Sequence, residues 1–304
     1  MNIAVFPGQG SQTPGFLSPW LDTDGARARL EQYSDWAGLD LVAAGTEWDA
    51  DRIRDTRVAQ PLIVAASLLS WNALPQRETV TGVAGHSVGE FAAAAAAGIL
   101  SEEDALRLVG LRGRSMAEAA AIEQTGMSAV IGGDEASVVA RLEELELTPA
   151  NYNGGGQLVA AGALTALQEL GATPPAGTRV IPLPVAGAFH TRYMEPAVGA
   201  LRTAAADVTV GDPTVTIWTN RDGSAVASGA AYRDLLVAQV ASPVRWDLCT
   251  AAFADAGVTG IVELAPAGTL VGLAKRALRG VPSVAVKSPD DIIAAAALIS
   301  GVNS

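Results

Sequence analysis

Gly85-His86-Ser87-Val88-Gly89 is the segment of this chain best suited to covalent chemistry. A serine with glycine two residues to either side fits the sharp strand-to-helix turn that lifts a nucleophile above a sheet, because the glycines leave room for the turn. The flanks agree with that context. Val80 to Ala84 is an apolar run of strand length, and Glu90 to Ala97 is rich in helix formers. At the start of such a helix, free N–H groups and the dipole favour a developing oxyanion. The competing reading is a glycine-rich turn with an incidental serine.

A serine hydroxyl becomes a useful nucleophile beside a base. The chain has two histidines, His86 and His190. Consecutive side chains in a tight turn diverge, which leaves His86 badly placed to take the Ser87 proton and makes His190, in Gly187-Ala188-Phe189-His190-Thr191, the base by elimination. A third, acidic member has no local signature. Asp234 and Asp247 are possible on chain order alone, since triads run in several orders. A Ser–His dyad whose imidazole is oriented by a backbone carbonyl is an equal alternative.

Ser101-Glu102-Glu103-Asp104 resembles a capping box, and the helix it opens places Ala105, Leu108, Val109 and Met116 on one apolar stripe. Arg112 falls on that stripe. A lone buried charge is very costly, so Arg112 must have a partner. The partner is either an internal carboxylate or the carboxylate of a substrate gripped by the guanidinium fork. In the second case the substrate carries a carboxylate of its own. The loop Gly8-Gln9-Gly10 lacks both the dinucleotide fingerprint and the phosphate-loop lysine, which argues against a nucleotide site. At the C-terminal end of a first strand it is placed to lend the Gln9 N–H to an oxyanion hole, opposite the Val88 N–H.

The elements that must position these residues alternate apolar runs with helical patterns, which is the α/β signature. Strands are expected at Ile3–Phe6, Val80–Ala84, Thr214–Thr219, Val258–Leu264 and Ser283–Val286, and a buried helix over Pro61–Leu74 with Pro61 in its first turn. Between them, strands at Met127–Ile131, Thr148–Tyr152, Gln157–Ala161 and Arg179–Val185 and helices at Glu135–Leu145 and Leu164–Leu170 give the order β-α-β-β-α-β of a ferredoxin-like unit. The fold class is therefore α/β: a hydrolase-like large domain with a mainly parallel sheet, residues 1–122 and 190–304, carrying a ferredoxin-like α+β subdomain at 123–189.

The bulk numbers fit a compact enzyme. The chain has 304 residues, about half of them hydrophobic and 17% charged, enough to bury a large core. A net charge of −12 argues against nucleic acid and anionic membranes as partners. The single cysteine, Cys249, excludes an internal disulfide and reads as a buried structural thiol. The N-terminus lacks a signal-peptide pattern, and the apolar stretches at Phe91–Leu100 and Val58–Gln76 are too short or too interrupted to span a bilayer. A cytoplasmic location follows.

Several motifs, taken in order, resemble those of the malonyl-CoA:acyl-carrier-protein transacylase family, the acyltransferases of fatty acid and polyketide biosynthesis. They are Phe6-Pro7-Gly8-Gln9-Gly10-Ser11-Gln12, Ala59-Gln60-Pro61, Gly85-His86-Ser87-Val88-Gly89-Glu90, Arg112-Gly113, Gly187-Ala188-Phe189-His190, and Gln239-Val240-Ala241-Ser242-Pro243-Val244-Arg245-Trp246. The resemblance covers essentially the whole chain. It implies that Ser87 forms the acyl-serine, His190 is the base, Gln239 orients His190 through its carbonyl, and the Gln9 and Val88 N–H groups form the oxyanion hole. It further implies that Arg112 binds the malonyl carboxylate, with Phe189, Met116 and Asn153 as further substrate-binding positions. Phe189 matches the malonyl-selecting form, because a phenyl ring crowds an α-methyl. Malonyl-CoA is then a substrate, no cofactor or metal is needed, and the partner is a phosphopantetheinylated acyl carrier protein. Because carrier proteins are acidic, Arg192 and a basic group of Lys275, Arg276 and Arg279 on one expected helix are candidate docking residues. One departure stands out: Glu263-Leu264-Ala265-Pro266-Ala267-Gly268 has alanines where the family often has glycine. That turn is expected to differ locally.

Overall fold

A computed structural model describes residues 1–301. Two five-stranded sheets organise the chain. The first contains β1 (Asn2–Phe6), β2 (Gly82–Gly85), β7 (Thr216–Trp218), β9 (Gly260–Glu263) and β10 (Ser283–Ala285), in the order β10-β9-β1-β2-β7. Every pairing in it is parallel. These strands are short and strongly apolar, as a sheet covered on both faces requires. The second contains β3 (Thr125–Gly132), β4 (Thr148–Gly154), β5 (Gln157–Ala163), β6 (Thr178–Leu183) and β8 (Val244–Arg245), in the order β6-β3-β5-β4-β8. Its first four strands pair antiparallel, and helices Glu135–Glu144 and Leu164–Ala172 complete the expected β-α-β-β-α-β sequence. The fifth strand comes from outside residues 123–189: β8 pairs parallel with β4.

Period-two alternation decides what each face of the second sheet does. Val130, Leu158 and Ala160 point to one side, where Val138 and Leu142 of one helix and Leu167 and Leu170 of the other cover them. Met127, Ala129, Asn151, Asn153, Gln157, Val159 and Leu183 point to the other side and line a cleft of about 260 Å³ against the parallel sheet. The parallel sheet meets that cleft with the C-terminal ends of its strands. The loop after β1 carries Gln9, the turn after β2 carries Ser87, and the segment after β7 carries Asn220. Such an edge is where open parallel sheets place their ligands.

Most expected elements are present, and three differences have simple causes. The Pro61 helix runs from Thr56 to Ala73, so Pro61 lies inside it rather than in its first turn. Asp55 sets the start by accepting the Arg57 N–H, and near-total burial from Ala59 to Trp71 outweighs the loss of one N–H donor at proline. The last strand of the insert ends at Leu183, where the chain turns and the Val185 N–H bonds back to the Leu183 carbonyl. The capping box is half-formed: Ser101 accepts the Asp104 N–H, but the Asp104 carboxylate takes the Ser101 hydroxyl instead of its backbone N–H. Among the described residues, no helix is long and apolar enough to cross a membrane.

Candidate active site

Ser87 sits in the left-handed backbone region at φ 52°, in the turn between β2 and the helix Gly89–Ala96. A non-glycine residue there is strained. The flanking glycines are required by contact as well as by torsion. A Cβ on Gly85 would overlap the Gly89–Glu90 peptide, and one on Gly89 would overlap the Phe6 carbonyl. Of the four non-glycine residues with positive φ among those described, a second is His190, at 62°. These two strained residues face each other, with Ser87 Oγ 2.7 Å from His190 Nε2.

His190 Nδ1 lies 2.9 Å from the Gln239 carbonyl oxygen. A carbonyl only accepts, so Nδ1 carries the proton and Nε2 is free to take one from Ser87. Burial and the positive charge of Arg112 push the His190 pKa down to about 3, against the pull of the Gln239 carbonyl. The imidazole is therefore neutral at physiological pH, the state a base requires. The dyad reading is the one the geometry supports. Asp234 is exposed and pairs with Arg233, and Asp247 pairs with Arg245, so neither approaches His190. His86 is turned away, as expected. Its Nε2 donates to Asn153 Oδ1 at 2.9 Å, its ring meets the edge of Trp246, and burial lowers its pKa.

Arg112 is 1% exposed on the apolar stripe of the helix Glu102–Ala120. The expected alternative, an internal salt bridge, is absent among the described residues. Instead Nη1 donates to Gln60 Oε1 at 2.6 Å and Nη2 to Gln239 Oε1 at 2.8 Å, while Nε has no partner. Two of five N–H donors are thus used, both on neutral amides. Burial lowers the Arg112 pKa to about 10, with the nearby charge of Glu90 opposing the fall. The guanidinium stays charged, lines the cleft with Ser87, and has donors to spare.

Phe189, Met116 and Asn153 also line the cleft, as does Gln9, whose side-chain Nε2 is buried without a partner. Val88 is buried directly behind the serine. Lys275 and Arg276 lie exposed in the last turn of the helix Thr269–Ala277, whose Thr269, Leu270 and Leu273 line the cleft. Arg279 falls beyond that helix, which ends at Ala277, so the three are not on one helix. Arg276 reaches Gln157 of the second sheet, and Arg192 lies exposed against Tyr193. Cys249 is buried and donates to the Thr219 carbonyl, a structural thiol as read. In the divergent turn, Gly268 takes φ 134° while Ala265 and Ala267 avoid the left-handed region. The buried Glu263 carboxylate accepts the Gly268, Leu270 and Val271 N–H groups at the start of the next helix.

Three polar residues at this site escaped the sequence reading. Gln60 and Glu90 stand inside quoted motifs without a role, and Asn220 stands in none. All three are buried to within 1% of full enclosure. Gln60 and Glu90 carry one sequence signal, polarity beside apolar helix residues, whereas Asn220, in Thr219-Asn220-Arg221-Asp222, carries none.

Residues 3–293 match the acyl transferase domain family. The chain is 55% identical over 296 residues to the malonyl CoA-acyl carrier protein transacylase of Mycobacterium tuberculosis, covering 96% of this chain and 98% of that one. The protein of the same name from Escherichia coli is 35% identical over 305 residues, with 96% and 97% covered. The crystal structure of MCAT from Mycobacterium tuberculosis superposes with a TM-score of 0.94, over 97% of this chain and 100% of that one, at 55% identity. A malonyl-transacylase in complex with a type II PKS acyl-carrier protein superposes at 0.89, with 31% identity and 99% of each chain covered. With similarity extending from end to end, this chain belongs to the malonyl-CoA:acyl-carrier-protein transacylase family of acyltransferases.

Proposed function

We propose that the protein moves a malonyl group from malonyl-CoA to the phosphopantetheine thiol of an acyl carrier protein, by a ping-pong route through malonyl-Ser87, and so supplies fatty acid or polyketide synthesis. The observation that carries this reading is Arg112: a buried cation with unused donors and, among the described residues, no carboxylate partner, in the same cleft as the Ser87–His190 couple. A substrate carboxylate completes it. In the first half-reaction His190 Nε2 takes the Ser87 proton, Oγ bonds to the thioester carbonyl carbon, and the C–S bond breaks. The CoA sulfur leaves and receives the proton from His190. In the second half-reaction the carrier thiol gives its proton to His190 and attacks the ester. The C–O bond to Ser87 breaks, and Oγ recovers the proton.

The Gln9 and Val88 N–H groups serve the oxyanion in both halves; neither has an acceptor among the described residues. Phe189 and Met116 bound the acyl pocket, and the Phe189 ring disfavours an α-methyl. Arg192, Lys275, Arg276 and Arg279 offer local positive charge to an acidic carrier on a chain of net charge −12. This reading includes a cytoplasmic location and no cofactor. It also divides the chain into a hydrolase-like catalytic unit, 1–122 and 190–304, and a ferredoxin-like small subdomain, 123–189.

Arg112→Ala tests the reading by comparing acyl groups. Losing a buried charge contact costs on the order of 3–5 kcal/mol, so malonyl loading should fall about 10²- to 10⁴-fold while acetyl loading changes by less than about tenfold. Equal losses for the two acyl groups would make Arg112 a structural residue and remove the main support for malonyl.

A further inference from the structure

The strained Ser87 turn needs something to hold it, and the two peptide groups of Ser87 are both bonded to side chains. Ser87 N–H donates to Asn220 Oδ1 at 2.7 Å, and the Ser87 carbonyl accepts Gln239 Nε2 at 2.8 Å. Asn220 also donates through Nδ2 to the Gly85 carbonyl at 2.7 Å, so one amide spans the turn. Both clamping residues are anchored on the same carboxylate. The Asn220 backbone N–H donates to Glu90 Oε1 at 2.7 Å, and Gln239 Nε2 donates to Glu90 Oε2. Tyr232 adds a hydroxyl at 3.3 Å. Glu90 is 1% exposed and has no place in the proton transfers described above.

The direction of these bonds carries information. Glu90 Oε1 takes the Asn220 N–H and the Tyr232 hydroxyl and Oε2 takes Gln239 Nε2, which fixes Gln239 with its NH₂ toward the Glu90 side chain and the Ser87 carbonyl. The Gln239 Oε1 then faces Arg112, and its backbone carbonyl holds His190 Nδ1. One carboxylate thereby sets the orientation of the nucleophile peptide, the amide behind the acyl-binding arginine, and the peptide that orients the base.

We propose that Asn220 and Glu90 are positioning residues of the transfer reaction, a buried clamp that holds Ser87 in its left-handed turn and locks Gln239 in the one orientation that serves Ser87, His190 and Arg112 together. The inference rests on Ser87 and His190 acting as nucleophile and base. Its test is therefore kept separable from that reading.

The test uses the full-length enzyme, with Ser87→Ala as control. The rate of Ser87 acylation by malonyl-CoA and the rate of Ser87 labelling by a small fluorophosphonate are measured for Asn220→Ala, Glu90→Gln and the double variant, alongside thermal melting. Asn220→Ala should slow both reactions about 10²-fold with KM for malonyl-CoA within about threefold of the parent, because the nucleophile is misplaced while the acyl pocket remains. Glu90→Gln should slow both about tenfold, since an amide must put an NH₂ against either the Gln239 NH₂ or the Asn220 N–H. The double variant should lose little more than Asn220→Ala alone, because the two act as a unit. Should Asn220→Ala fail to fold, Asn220→Ser and Glu90→Gln carry the same comparison. Folded variants that label and acylate within about threefold of the parent would overturn the proposal, as would a loss confined to KM or independent, multiplicative losses. Activity surviving in Ser87→Ala would instead overturn the underlying reading.

Discussion

The two walls of the cleft are built on opposite principles. The parallel-sheet wall concentrates Ser87, Arg112, His190, Gln239, Glu90 and Asn220 in a buried hydrogen-bonded network whose spare donors are on Arg112. The antiparallel wall presents one face of a sheet, with Met127, Ala129, Val159 and Leu183 as its apolar part and Asn153 reaching across to His86. Misplacing one group on the first wall leaves its neighbours unsatisfied in low dielectric, whereas trimming the second wall changes shape and little else. Chemistry should therefore be fixed by the first wall and substrate fit by the second.

The sharpest way to break this contrast is His190→Ala, which removes the proposed base and its tie to Gln239. Acyl loading should fall about 10³- to 10⁴-fold at unchanged binding of malonyl-CoA, checked by stopped-flow loading and by equilibrium binding. A loss below about tenfold would move the base elsewhere. Next in size is Phe189→Ala. It should raise the use of methylmalonyl-CoA relative to malonyl-CoA by about tenfold, within the range that one methyl group commands in an apolar pocket. An unchanged ratio would remove Phe189 from selection. Smallest is Val159→Ala on the antiparallel wall, expected to alter KM by about twofold to fivefold with kcat unchanged. A fall in kcat as large as that of the network variants would erase the distinction between the walls.

The buried network also predicts a pH response. His190 is neutral in the folded protein down to about pH 3, while an unfolded histidine takes up its proton near 6.5. Stability is then lost as pH falls from about 6.5 toward 3. Glu90 works the other way. Burial lifts its pKa to about 7 from an ordinary 4.5, so its contribution grows as pH falls through that window. Glu90→Gln deletes the compensating group. Melting temperature measured from pH 7 to 5 should therefore fall more steeply in that variant than in the parent, and an equal slope would mean that Glu90 stays ionised in the native state.

How much of this was legible in the sequence follows the same division between local and distant causes. The serine turn, the arginine stripe and the alternating strands are local patterns whose physics fits within a dozen residues, and they predicted the Ser87 turn, the burial of Arg112 and most strands of both sheets. The role of Glu90 depends on Gln239 and Asn220, which lie far along the chain and meet only when β7 sits beside β2. β8 escaped notice for a related reason: two residues, Val244 and Arg245, carry no periodicity, and only their neighbour β4 makes them a strand. Pro61 was misplaced because proline marks a helix start by local rules, and full burial of the surrounding helix overrides them.

The most direct test of the account is intact mass measurement of the protein after brief exposure to malonyl-CoA, with the adduct mapped by peptide analysis and its decay followed with and without phosphopantetheinylated carrier. The account predicts a single malonyl group on Ser87 that persists in water and discharges rapidly onto the carrier thiol. Release of free malonate at the same rate whether or not carrier is present, or a malonyl adduct that survives in Ser87→Ala, would contradict it.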